Sequence, residues 1–264
     1  AVLLAVGVFV GIVARRELRP QLASAGPYVA IVIALLVLSP VIAWNAQHGW
    51  ASFVFQLRHG LGGVGGSVLG REVEMLGGQL GLVTPILFVM MIIAAARAGN
   101  STRALLAIVS AVVFAFFMYS ATRRRVEANW PALAYVPGII LLAAHAAGSA
   151  WRKWLGAGIT LAALLTSVTY VNTFTPILPV PARRDPVARS AGWERLAGAV
   201  HRVHGPRLPI SSYRTWVGAD RYQEASELAF HLPDNPEVFA LNLTTRRNQY
   251  DFWPTFTDRA QPRD

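Results

Sequence analysis

Three consecutive arginines, Arg123, Arg124 and Arg125, are followed by Glu127, Asn129 and Trp130 in the segment ATRRRVEANWPALAYVPG. Guanidinium forks grip phosphate oxygens two at a time and stay charged at any physiological pH. Pro131 stands where an apolar run begins, and proline suits the first turn of a helix. Amides exposed at such a start favour an anion. The segment therefore reads as a holder for a lipid phosphate or pyrophosphate at a bilayer surface. Arg123, Arg124, Arg125 and Asn129 would meet the phosphate, with Glu127 and Trp130 beside them. General attraction of arginine to anionic headgroups is the plainer explanation of the same cluster.

A second group of reactive side chains opens WNAQHGWASFVFQLRHGLGGVGGSVLG. Asn45, His48, Trp50 and Arg58 combine flat rings with amide, imidazole and guanidinium groups. Such sets recognise sugars, because rings stack on pyranose faces and amides bridge hydroxyls. An interfacial helix with tryptophan anchors fits the same residues. The glycines that follow (Gly60, Gly62, Gly63, Gly65, Gly66) lack the Gly-Lys-Ser/Thr of a phosphate loop, and read instead as a mobile loop able to order over a substrate. His48 and His59 are too far apart for a local metal motif and no HExxH spacing occurs, so no metal ligands are assigned. The third group, Arg246, Arg247, Asn248 and Tyr250 in TTRRNQYDFW, either closes a substrate cleft or caps its domain against the membrane. Glu224 and Glu227 fit helix solvation as well as catalysis.

The elements that must position these groups are mostly apolar. Spans are expected at Pro27 to Trp44, Leu80 to Ala96, Ala104 to Ser120, Pro131 to Ala147 and Trp154 to Val171. Each is about 17–18 residues, or roughly 26 Å of helix, close to the hydrocarbon thickness. Tyr28, Trp44, Tyr119, Trp130, Trp151 and Trp154 mark their ends, as an interfacial belt does. The opening AVLLAVGVFVGIVA is short for a span and has no positive leader before it, so it reads as the tail of a transmembrane helix of a longer chain. Three alternate loops hold Arg15, Arg16, Arg19, Arg97, Arg103, Arg152 and Lys153, which places them in the cytoplasm by the positive-inside rule. The loops Asn45 to Gln79 and Ala121 to Trp130 would then face outward, with everything after the last span. Arg123–Arg125 defy that rule, and an anionic ligand is the leading reason.

The composition agrees. The 264 residues are 54% hydrophobic and only 14% charged, against about a quarter charged in soluble domains. The net charge of +10 is scattered between apolar stretches rather than gathered on one basic face, which argues against nucleic acid and for membrane lipids as partners. Without cysteine there is neither a disulfide framework nor a thiolate metal site. After Asn172 the proline-rich TPILPVPARRDP ends the membrane region. An amphipathic helix at Ser190 to Val203, a strand at Leu208 to Ser212, a helix at Asp220 to His231 with Asp220 at its N-cap, and a strand at Pro236 to Leu243 follow. That order suggests a small α/β domain with a partly parallel sheet. The expected architecture is a mainly α membrane protein: a multi-spanning helical bundle over 1–174, its first helix cut short, then a small extracytoplasmic α/β domain over 175–264.

At WNAQHGWASFVFQLRHG, RRRVEANWPA and DRYQEASELAFHLP…NLTTRRNQYDFW the chain resembles the C-terminal half of bacterial members of glycosyltransferase family 39, multi-spanning enzymes of the GT-C type related to protein mannosyltransferases and lipid A aminoarabinose transferases. The resemblance implies inverting transfer of a hexose or pentose from a polyprenyl-phosphate donor to an extracytoplasmic lipid, glycan or protein, as part of cell-envelope modification. It implies the bacterial cytoplasmic (inner) membrane, with the C-terminal domain periplasmic. Relatives present a basic and polar segment to the donor phosphate where this chain has Arg123 to Trp130, although the aminoarabinose branch carries a lysine-and-tyrosine version. The family's catalytic carboxylate lies in its first extracytoplasmic loop, to which no position here corresponds, so no base is named and the chain alone is expected to be inactive. No cofactor is assigned; a divalent metal stays open, as does the oligomeric state. The alternative is a lipid-linked sugar flippase or transporter. Against it, the spans show no discontinuous pairs and no charges within them.

Overall fold

The computed structural model of the chain describes residues 2–61, 67–147, 151–175, 177–178, 181, 191–204, 216–233, 235–243 and 248–259. The chain divides into two compact units, Ala1–Tyr170 and Val171–Asp264. Among its described residues the first unit holds helices and no strand: α1 (Val2–Ala14), a 3-10 turn (Arg16–Ala23), α2 (Ala25–Gln47), α3 (Ala51–Leu61), α4 (Val68–Val83), α5 (Pro85–Ala96), α6 (Ser101–Arg123), a second 3-10 turn (Trp130–Ala134), α7 (Tyr135–Ala146) and α8 (Trp151–Phe174), whose last residues fall in the second unit.

Three of these, α2, α6 and α8, are long and apolar enough to cross a membrane. Their 23, 23 and 24 residues amount to roughly 35 Å of helix, more than the hydrocarbon core requires. Their charged residues, Arg103, Arg123, Arg152 and Lys153, all lie at the ends. Pro40 sits inside α2, a position that membrane helices tolerate better than soluble ones. The protein is a mainly α-helical membrane protein.

Two expected spans take another form. Leu80 to Ala96 is not one helix: α4 and α5 meet at a bend of 101°. Thr84 there has a φ of 68°, and Pro85 occupies the first turn of α5. Proline disfavours the helical region for the residue before it, so the chain turns although its hydropathy runs on without interruption. The stretch Pro131 to Ala147 begins as a 3-10 turn and continues as the 12-residue α7. The expected outer loop Asn45 to Gln79 is largely helix, supplying α3 and most of α4.

Helix α6 is the centre of the unit. Gly7 and Gly11 of α1, one turn apart and both buried, lie against its Leu105–Val109 face. A Cβ on Gly7 would come within 2.9 Å of the Val109 Cα, and one on Gly11 would strike the Leu105 side chain. Small residues spaced by four let membrane helices approach closely. Gly7→Leu is accordingly expected to destabilise the fold by about 1–3 kcal/mol. Gly77→Leu should change stability little, since nothing lies within 4 Å of a Cβ there. Thermal unfolding of both variants in the same lipid nanodisc checks this. A second cluster, Met90, Met91, Tyr135 and Leu142 with Phe88, Phe114, Trp151 and Leu155 around it, joins α5, α6, α7 and α8.

The second unit contains α9 (Trp193–His204), β1 (Val217–Ala219), α10 (Tyr222–His231), β2 (Val238–Ala240), a 3-10 turn (Gln249–Phe252) and α11 (Phe256–Arg259). The two strands pair in parallel, Val217 opposite Val238 and Ala219 opposite Ala240. Ala197, Val217, Ala225, Leu228, Leu232 and Val238 form their core. The expected strand Leu208 to Ser212 lies outside the described residues, and the strand that pairs with β2 is Val217–Ala219. Helix α10 starts at Tyr222, and its N-cap is Arg221 with no side-chain capping bond. Asp220 is therefore not the cap that its residue type suggested.

Candidate functional site

The arginine run begins on the last turn of α6. Arg123 is its final residue, and Arg124 leaves it in extended conformation with its amide donating to the Ser120 carbonyl. The carbonyls at a helix end need donors and carry partial negative charge, which an arginine satisfies well. That task falls to Arg71 of α4, whose guanidinium donates to the carbonyls of Ala121 (2.9 Å) and Thr122 (2.6 Å). Arg123 projects over the Tyr119 ring at 6.0 Å and is exposed; Arg124, half-buried, lies over the Trp130 ring at 5.9 Å. Arg125 is exposed and pairs with Glu74 of α4 at 2.5 Å.

Helix α4 thus clamps the segment that follows α6. Met75 packs with Ala121 and Val126, with Phe117 and Trp130 at the margin. Gln79 is fully buried: its amide nitrogen donates to the carbonyls of Met75 (3.1 Å) and Ala128 (3.2 Å), and its oxygen accepts from the Tyr135 hydroxyl (2.5 Å). Four arginines (Arg71, Arg123, Arg124, Arg125) and three glutamates (Glu72, Glu74, Glu127) come from these two segments. Sequence reasoning missed Arg71, Glu74 and Gln79 by placing them in a loop. The available signal was the four-residue spacing of Arg71, Met75 and Gln79, which lines up one helical face.

Asn129 and Glu127 are exposed beside the cluster. Their carbonyls accept from the amides of Ala132 and Trp130, at 3.2 and 3.0 Å. Those amides are engaged, and the turn they belong to has only five residues. The anion-binding helix start expected at Pro131 is thus absent.

The first polar group forms the corner between α2 and α3. Asn45 is fully buried, its nitrogen donating to the Val41 carbonyl and its oxygen accepting from the Ser52 amide, both at 2.9 Å. It stitches the two helices together and presents nothing to a ligand. His48 stacks on Trp44 with centroids 4.1 Å apart and planes 8° from parallel, and its Nδ1 lies 2.7 Å from the Trp44 carbonyl. Gly49 and Trp50 carry φ values of 61° and 58°, the left-handed pair that makes the corner sharp. Trp50 remains half exposed. The Arg58 side chain lies outside the described residues, as do Gly62 to Gly66. Gly70, beyond that glycine run, is inside α4, whose start Ser67 caps by accepting from the Gly70 amide.

In the second unit Arg246 and Arg247 lie outside the described residues. Asn248 caps the 3-10 turn, with Oδ1 accepting from the Tyr250 amide and its own amide donating to Asp251. Tyr250 shares a 3.0 Å hydrogen bond with Ser226 of α10. Among the described residues no group of three or more His, Asp or Glu is arranged to hold a metal. No protein-family model, curated protein or solved structure matches the chain.

Proposed function

We propose that the protein is a membrane glycosyltransferase of the GT-C type. It would move a sugar from a polyprenyl-phosphate donor to an extracytoplasmic acceptor during modification of the bacterial cell envelope, with its small C-terminal α/β domain on the same outer side of the inner membrane. The observation that carries this reading is the placement of Arg123, Arg124 and Arg125. They stand at the end of α6, a helix long enough to cross the bilayer, with the carbonyls of its last turn already served by Arg71. Guanidinium groups at the end of a spanning helix would meet lipid phosphate rather than the hydrocarbon core.

The chemistry follows from charge. The acceptor hydroxyl oxygen attacks the anomeric carbon, the bond from that carbon to the phosphate oxygen breaks, and the electron pair leaves with polyprenyl phosphate. The acceptor's proton passes to a carboxylate base that no residue of this chain is assigned to supply. The leaving phosphate gains one negative charge as the bond breaks, so fixed cations beside it stabilise the transition state more than the ground state.

One observation favours the transporter reading. The 101° break between α4 and α5 is the kind of discontinuity that transporters build around a ligand, and the sequence alone had suggested that none was present. Helix α2 has no charged residue and those of α6 and α8 lie only at their ends, which favours chemistry at a surface over passage through the bundle.

The deciding experiment supplies radiolabelled polyprenyl-phosphate sugars to membranes carrying the full-length protein. Transfer to an acceptor is the expected result. If no donor supports transfer, and lipid-linked sugar collects on one leaflet in cells lacking the protein, the transporter reading replaces it.

A further inference from the structure

The second unit holds a groove of about 460 Å³ beside β2, closed on its other side by the chain from Tyr250 to Thr257. We propose that it binds a short uncharged oligosaccharide, through one or two hexopyranose rings. The inference stands apart from the donor-phosphate reading, since none of the arginines of α6 takes part.

Three observations point to this ligand. The first is exposed aromatic surface where an apolar core is available to bury it. Phe239 is buried and meets Phe256 edge to face at 5.8 Å, with Trp216 against both. Over this base Phe256 remains 39% exposed and Trp253 52% exposed, with Trp253 set at 4.8 Å and 61° to Tyr250. A flat indole held in place by a neighbouring ring suits the C–H face of a pyranose.

The second is a polar network that is already ordered. Asp251 accepts from the Asn242 amide at 2.7 Å and from the Asn248 backbone at 2.5 Å. Thr255 donates its hydroxyl to Asp258 at 2.6 Å. An ionised carboxylate has about four lone-pair directions, so Asp251 keeps acceptor capacity for a ligand hydroxyl. Because its orientation is set by its neighbours, little side-chain freedom is lost on binding. A sugar hydroxyl both donates and accepts, and joins such a network in either sense.

The third is charge. The described residues lining the groove include the carboxylates Glu237 and Asp251 and no basic side chain. Glu237 is paired with Arg259 at 3.5 Å, outside the lining. Phosphorylated or acidic sugars would be repelled, so the ligand carries no negative charge. The volume is of the size that small-ligand sites occupy, roughly 300–1,000 Å³.

The test is saturation-transfer NMR of the full-length protein in lipid nanodiscs prepared without glycosidic detergent, using maltotriose, mannotriose and chitotriose as probes. At least one probe is expected to receive magnetisation on its ring C–H protons. Trp253→Ala should weaken that contact about tenfold, while Trp253→Phe retains most of it. Trp154→Ala, which removes another exposed indole, on α8, should leave it unchanged. The proposal is overturned if no saccharide makes contact, if contact survives Trp253→Ala undiminished, or if extended peptides bind and saccharides do not. Sugar transfer in the membrane assay reads the donor site separately, so either inference can fail without the other.

Discussion

Replacing Arg123, Arg124 and Arg125 together by glutamine is expected to lower sugar transfer by about 10²–10³-fold with the amount of protein in the membrane unchanged. The size follows from what the guanidinium groups would do. The donor phosphate gains charge in the transition state, and losing one well-placed donor to such a charge already costs about 3–4 kcal/mol. Glutamine keeps a neutral hydrogen-bond donor but neither the charge nor the bidentate fork. The fold should tolerate the exchange. The last turn of α6 is served by Arg71, and the Arg125–Glu74 pair is half exposed on both sides, where such pairs contribute about 0–1 kcal/mol. A triple lysine variant restores the charge without the fork and should recover part of the loss. Radiolabelled donor turnover in membranes, normalised to protein level, measures all three forms. Undiminished transfer in the glutamine variant would remove the phosphate from this end of α6.

Gln79→Leu should be the most damaging single substitution to stability, at about 2–5 kcal/mol. Gln79 is fully buried and joins three elements, bonding within α4, to the Ala128 carbonyl and to the Tyr135 hydroxyl. Leucine has similar bulk, so the cost comes from the Tyr135 hydroxyl and the Ala128 carbonyl losing their partner, at about 1–3 kcal/mol each. The diagnostic is the double variant. Gln79→Leu with Tyr135→Phe removes both ends of one buried bond, which is far less costly than removing one. It should unfold later than Gln79→Leu alone, a non-additivity that marks direct coupling. Chemical unfolding in one detergent or nanodisc compares the variants. Transfer should fall with Gln79→Leu as well, since the bond to Ala128 fixes the segment bearing Arg124 and Arg125 against α4.

Helices α2, α6 and α8 were legible from residues in order, because crossing a membrane depends on length and apolarity, both local properties. Helices α9 and α10 were legible from their periodicity. The parallel pairing of two strands around α10 was expected too, but β1 is only three residues long, too short for an alternation to show, and the expected first strand fell elsewhere. The arginine cluster could be named from its run of like charges, and its place at the end of α6 followed from where the apolar stretch stopped.

What surrounds that cluster was decided by packing. Arg71 and Gln79 face α6 and the chain after it because α4 and α5 meet at a bend of 101° and α4 lies back along its neighbour. Hydropathy cannot register a turn that one proline and one positive φ impose within an unbroken apolar run. Asn45 shows the same limit in reverse. Its residue type suits a ligand site or a helix corner equally well, and the Val41 carbonyl and the Ser52 amide decide between them. The sequence by itself determined the solvent this protein lives in and where its charges gather. The tertiary structure alone decided which polar groups are tied to the backbone and which, like Arg123 and Trp253, are left to face something else. A hydrogen bond needs both partners in place, and the second partner here stands on another element of the fold.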